Sequence, residues 1–195
     1  MANDFTTSCI RTLRARLEEE CPNYTWNAEQ SLQASDGIAR IDICGENTKS
    51  VFIELEIHRG DPRNNAGKLL GMDRCGESLV LHIFSPYYET TPHYEKARFC
   101  EHVLPEKFGK VGICYRTLRW SLDTFPNVRR ACQVLPESRK DFPPDDEFRG
   151  AIEELAKDLK QLILQWDAQK VSHTSNDSEL SWSPHLIGNK KPRDG

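Results

Sequence analysis

Two glutamates, Glu54 and Glu56, stand one residue apart in the apolar run "SVFIELEIHRG" (residues 50–60), which leads directly into Asp61-Pro62. Alternate residues of a strand share a face. Val51, Ile53, Leu55 and Ile57 therefore point one way, and Phe52, Glu54 and Glu56 the other. Like charges side by side on a sheet cost stability, and a divalent cation removes that cost. Mg²⁺ is held by one or two carboxylates together with water and substrate phosphate; it makes water a better nucleophile and neutralises charge developing at phosphorus.

A third acid comes from "ARIDICG" (39–45), where Ile41 and Ile43 alternate with Arg40, Asp42 and Cys44. The turn cluster "ENTK" links the two runs, so they read as a hairpin. In the register that sets Asp42 opposite Glu54, Arg40 falls opposite Glu56. Any register that matches the apolar faces keeps the acids on one side. The expected metal ligands are thus Asp42, Glu54 and Glu56, with the Leu55 main-chain carbonyl and a phosphodiester completing the shell. An isolated Glu-x-Glu also fits a strand whose polar side faces water. Asp42 at the matching parity, and the helix start just beyond, count against that simpler account.

The elements that must position these residues follow from pattern. Phe5, Cys9, Leu13 and Leu17 recur every four residues and predict a helix over 5–20, which Cys21-Pro22 ends. Glu18, Glu19 and Glu20 lie at the end of that helix where the dipole disfavours them, and Glu20 continues the inward Leu13/Leu17 stripe. A short strand signal lies at Tyr24–Trp26. Asp61 suits an N-cap and Pro62 a first helical position, predicting a helix to about Gly71. "SLVLHIFSPYY" (78–88) begins as a buried central strand, with His82 as a hydrogen-bonded core histidine. A helix over 92–104 and a strand over 110–118 follow, then an ambiguous Pro- and charge-rich stretch over 120–144. Phe148, Ile152, Leu155, Leu159, Leu162 and Trp166 form the stripe of a long final helix. The expectation is an α/β fold with a mixed β-sheet flanked by helices: one domain over 1–169 and a polar tail over 170–195.

Composition narrows the classes. The chain has 195 residues, 37% hydrophobic and 29% charged, with a net charge of −4. That acidic balance does not advertise nucleic-acid binding; the scattered arginine pairs read as solvated surface. The cysteines form no Cys-x-x-Cys pair, so neither a disulfide framework nor a zinc knuckle is indicated, and reduced thiols in a cytoplasmic protein are expected. His93, Cys100 and His102 lack zinc-ligand spacing. No apolar run approaches the ~18 residues of a membrane span. Nucleophile-elbow, P-loop and dinucleotide motifs are absent.

The order helix, "RIDI", "VFIELE", helix, apolar strand resembles the PD-(D/E)XK (restriction-endonuclease-like) phosphodiesterase superfamily over roughly residues 5–118. That resemblance implies a restriction-endonuclease-like core in which Asp42 and Glu54 bind metal. The lysine normally third in the motif is Glu56 here, as in the Glu-x-Glu members of the family, and Ile41 stands where a proline often does. Lys68, on the helix after the strand, takes the position to which that lysine has moved in some members. Asn65, one turn earlier, faces the same substrate. Glu20 matches the acid that the family places on its first helix; Arg40 is a further accessory candidate. His58, Arg59 and Arg63, just beyond the acids, become nucleic-acid contacts. The implied function is a Mg²⁺-dependent (or Mn²⁺-dependent) endonuclease cutting nucleic acid, DNA being the expected form, as a homodimer or with a recognition subunit. Two alternatives stand beside it: a catalytically inactive nuclease-fold module for nucleic-acid or protein binding, and a metal-dependent phosphohydrolase of nucleotides.

Overall fold

The computed structural model describes residues 4–34, 37–58, 61–70, 77–90 and 92–171. Helix α1 (Asp4–Glu20) leads into three strands, β1 (Thr25–Ala34), β2 (Gly37–Glu46) and β3 (Ser50–Glu56). Helix α2 (Pro62–Leu70) and strand β4 (Ser78–Phe84) follow, then a 3₁₀ turn over Pro86–Glu89. Next come α3 (His93–His102), α4 (Leu104–Gly109), β5 (Ile113–Arg119), α5 (Pro126–Gln133) and α6 (Asp145–Val171).

The five strands lie in the sheet in chain order. β1, β2 and β3 pair antiparallel, whereas β3, β4 and β5 pair parallel. The first two connections are short enough to be hairpins; parallel pairing needs crossovers, which α2 and the α3–α4 pair supply. Crossovers take one hand, and both here cover the same face. Ala66 and Leu69 of α2, Ala97 and Cys100 of α3, and Leu104 and Phe108 of α4 pack with Phe52, Val80 and Phe84 of the sheet. On the other face, α1, α5 and α6 pack on Val51, Ile53, Leu55, Leu79, Leu81 and Ile83. The expected α/β fold with a mixed sheet between helices is therefore present.

β3 and β4 lie at the centre of this sandwich, where apolar residues on both faces are removed from water. Every residue of β4 is buried, and every residue of β3 except Ser50. Glu54, Glu56 and His82 are carried into the interior as members of these strands.

Some elements depart from expectation for local reasons. β1 is ten residues long although "NAEQSLQA" has little strand propensity. It is an edge strand, and its pairing with β2 overrides propensity. The helix expected over 92–104 is broken at Val103, because Pro105 has no N–H to give the Glu101 carbonyl and opens α4 instead. The ambiguous stretch contains α5, started by Pro126. The final helix runs to Val171, past the expected start of the tail, and residues 172–195 lie outside the described residues. Among the described residues, no disulfide involves Cys9, Cys21, Cys44, Cys100, Cys114 or Cys132. No described helix is long and apolar enough to cross a membrane.

The β1–β2 pair is locked at one close contact. Trp26 is the partner of Gly45 in the ladder, and its indole Nε1–H donates to the Cys21 carbonyl at 3.1 Å. A Cβ at Gly45 would lie 2.5 Å from Trp26 Cζ3. Gly45→Val is therefore expected to lower stability by about 2–3 kcal/mol, read as a lower urea midpoint at unchanged slope.

Candidate functional site

The β2–β3 ladder runs from Glu46–Ser50 to Ile43–Ile53. This is the register that sets Asp42 opposite Glu54, but regular pairing stops one residue short of them. Asp42 fills the gap with its side chain: its Oδ2 accepts the Leu55 N–H at 2.9 Å. In an extended strand a residue's N–H and C=O point to the same side. The Leu55 carbonyl therefore also faces β2, at the place where the ladder has ended.

The break is visible from the β1 side as well. Ala28 pairs with Ile43 and Gln30 with Ile41, while Glu29, between them, sits out of the ladder at φ 54°. A non-glycine residue in this region is strained. Glu29 faces the Asp42 position and forms an ion pair with Arg40 at 2.7 Å. The alternation expected of Ile41 and Ile43 also fails here, since Ile41 packs with the α2–α4 layer and Ile43 with the α1–α6 layer. The strand is twisted around Asp42, although the β1–β2 register is the same on either side of it.

Glu54 is 4% exposed and lies beside His82 in the parallel ladder. No donor among the described residues hydrogen-bonds its carboxylate. Burial holds this carboxyl well above the usual carboxylate range, Asp42 and Glu56 push it the same way, and Lys68 opposes them. Lys68 thus sets its charge against Glu54 from α2, whose first turn is fixed by Asp61 Oδ1 accepting the Arg63 N–H at 3.1 Å. Asp42 is half-buried, and burial pushes its carboxyl up to about 6; the Leu55 N–H opposes this, while Glu56 and Glu29 reinforce it.

Glu56, 6% exposed, has a different environment. Its Oε1 accepts from Asn65 Nδ2 at 2.8 Å and lies 3.0 Å from His82 Nε2, and its Oε2 accepts from the Tyr88 hydroxyl at 3.4 Å. His82 is fully buried, with Nδ1 2.7 Å from the Tyr115 hydroxyl. A neutral imidazole protonated at Nε2 satisfies both contacts: Nε2–H donates to Glu56 and Nδ1 accepts from Tyr115. Burial first, then Glu56, pushes the Tyr88 phenol upward; burial, Cys100 and Glu56 do the same to Tyr115.

The structure therefore brings Asp42, Glu54, Glu56, Asn65 and Lys68 to the edge between β2, β3 and α2, and separates others from it. Glu20 is in the opposite helical layer, paired with Lys160 of α6 at 2.9 Å, because the stripe that turns it inward faces α6 rather than the sheet edge. Arg40 is held by Glu29 instead of facing Glu56. His58 stacks on Tyr87 with ring centroids 4.1 Å apart. Arg63 is exposed but pairs with Asp61 at the start of α2. Arg59 lies outside the described residues. Sequence reasoning missed Glu29, whose environment depends on a ladder that its weak strand pattern did not announce. It also left His82 out of the site, although His82 was legible as a polar residue in an apolar strand.

The donors here are hard carboxylate and carbonyl oxygens, which suit Mg²⁺ or Mn²⁺. The buried Glu54 carboxylate without a hydrogen bond, and the Asp42 oxygen left over by Leu55, fit an ion held by two carboxylates. Among the described residues no three His, Cys, Asp or Glu side chains form a group that could hold a metal. The reason at this site is that Glu56 is turned into the His82 network, so the expected three-carboxylate set reduces to Asp42 and Glu54. A surface groove of about 430 Å³ between α5 and Pro143-Pro144 is lined by none of these acids.

No protein-family model matches the chain, and no curated protein sequence matches it. Among solved structures it is similar to a crystal structure described as the protein of unknown function AF1548. The two share 14% identity over 81% of this chain and 99% of that one, with a TM-score of 0.34.

The folded Asp42 carboxyl binds its proton more tightly than the unfolded one. Its contribution to stability is therefore full below about pH 4 and is lost as pH rises through about 6. In metal-free buffer Asp42→Asn, which keeps an acceptor for Leu55, is expected to gain on the wild type across that window. Above it the variant should be more stable by about 1–2 kcal/mol, a linkage value reduced for the partly solvated carboxylate; denaturant melts at pH 4.0 and 7.5 (roughly either side of the window) give the difference.

Proposed function

We propose that this chain is a divalent-metal-dependent phosphodiesterase acting on nucleic acid, DNA being the expected form, on a restriction-endonuclease-like core. The observation that carries this is the buried Glu54 carboxylate, to which no described residue donates a hydrogen bond and which lies beside Asp42 with Lys68 set against it. The order α1, β1, β2, β3, α2, β4 supports the resemblance that suggested the core.

Asp42 and Glu54 are the residues that would hold Mg²⁺, or Mn²⁺ in its place, with the Leu55 carbonyl as a main-chain oxygen. The ion supplies activation of water and neutralisation of charge at the phosphate. The protein's own groups have separate tasks. Leu55 N–H fixes the Asp42 carboxylate, so that one oxygen is oriented outward from the strand gap. The walls of β3 and β4 keep water from Glu54, which strengthens its attraction for a cation. Lys68, exposed on α2, is placed to donate to a non-bridging phosphate oxygen and so takes the part of the lysine that Glu56 replaces. Substrate reaches the site across the exposed face of α2. The family pattern gives a 5′-phosphate and a 3′-hydroxyl as products, and a second copy or a recognition subunit as the partner that sets specificity.

A second reading, a non-catalytic nucleic-acid or protein-binding module, is favoured by Glu56 accepting from Asn65, His82 and Tyr88 where the family has its lysine.

A plasmid-nicking assay beside Mn²⁺ calorimetry tests the first reading. Wild type is expected to nick with Mg²⁺ or Mn²⁺. Asp42→Asn and Glu54→Gln should each lose metal binding and at least ~100-fold of the rate, and Lys68→Met should lose roughly 10- to 100-fold with metal binding retained. Wild type that binds no metal and cuts neither DNA nor RNA overturns the proposal. Salt-sensitive binding of nucleic acid without cutting would select the module instead.

A further inference from the structure

We infer that Glu56 and His82 are positioning residues that set the rotation of α2, so that Asn65 and Lys68 together face the phosphate beside Glu54. This inference rests on the phosphodiesterase reading and deepens it, because it assigns the residue standing in the lysine position.

Glu56 is a poorer metal ligand than Glu54 because its oxygens already accept from protein groups. Asn65 and His82 converge on Oε1 at 2.8 and 3.0 Å, and Tyr88 reaches Oε2. The acceptor set is held from behind by a chain of buried donors. His82 bridges Glu56 and the Tyr115 hydroxyl through its two ring nitrogens. Buried polar networks of this kind fix geometry when every member is satisfied, and each group here has a partner.

The contact that leaves the network is Asn65. It is half-buried on α2 and spends one amide hydrogen on Glu56, which leaves its second amide hydrogen and its carbonyl oxygen for other partners. Residues three apart on a helix share a face, so anchoring Asn65 also orients Lys68, whose charge acts on Glu54. α2 needs such an anchor. It has only nine residues, and just Pro62, Ala66 and Leu69 are buried, which is little apolar surface to define its rotation. In the family pattern a strand lysine reaches the phosphate directly. Here the strand supplies an acid, the acid holds an amide, and the helix bearing that amide carries the cation.

Two variants separate positioning from metal ligation: Glu56→Gln, which replaces the charged acceptor shared by Asn65 and His82 with a weaker neutral one, and His82→Phe, which removes the donor behind it. Mn²⁺ affinity is expected to change by less than about threefold in each, while kcat for nicking falls roughly tenfold or more with KM little changed. Asn65→Leu should reproduce the kcat loss, and Asn65→Leu combined with His82→Phe should be no worse than the more severe single variant. A drop of about tenfold or more in Mn²⁺ affinity for Glu56→Gln would make Glu56 a ligand and overturn the inference. Unchanged kcat in Glu56→Gln and His82→Phe would overturn it too, as would fully additive losses. Amide exchange by NMR decides the point without catalysis: the Asn65 side-chain amide should exchange at least about tenfold more slowly in wild type than in His82→Phe. Equal exchange refutes the positioning role. Wild type that neither binds Mn²⁺ nor nicks, but shows that protection, refutes the phosphodiesterase reading alone.

Discussion

A buried and a half-buried carboxylate, Glu54 and Asp42, at the point where a β-ladder stops set the terms for the rest of this structure. β3 has neighbours on both edges and helices on both faces, so an acid in it has no route to water along the strand. Glu54 accordingly sits where charge is costly, and its proton is held more tightly than in water. The cost is tolerated because the ladder opens at Asp42, which substitutes its own carboxylate for a main-chain acceptor at Leu55. Strain at Glu29 and the reversal between Ile41 and Ile43 are local consequences of that opening.

The third acid shows a different solution to the same problem. Glu56 is as buried as Glu54 yet gathers donors from α2, β4 and the 3₁₀ turn. Two residues apart on one strand, the pair therefore divides into one carboxylate to which no described residue donates and one that accepts from three protein groups. Side-chain identity does not distinguish them; the difference is that β4 places His82, and α2 places Asn65, within reach of Glu56.

The layered packing makes this division possible. Parallel pairing of β3 and β4 requires a crossover helix, and α2 as that crossover begins almost directly after Glu56. Helix, acids and histidine are thereby brought together by connectivity alone. The same layering removes Glu20, because α1 belongs to the opposite face and its final turn meets Lys160 of α6.

Much of this was legible in the residues. Period-two runs identified β2 and β3, a continuous apolar run identified β4, helical stripes identified α1 and α6, and Asp61-Pro62 marked the start of α2, since each is a local pattern with a local cause. The gathering of Asp42, Glu54 and Glu56 on one side followed from parity and a short turn. What the sequence by itself could not determine were properties that depend on non-local partners. β1 exists because β2 pairs with it, Arg40 answers Glu29 because a ladder fails between them, and His58 is stacked by a ring from the segment after β4. The roles of Glu54 and Glu56 belong to the same class. A carboxylate's charge state and availability are decided by what surrounds it in space, and only the tertiary structure puts Lys68 beside one and His82 behind the other.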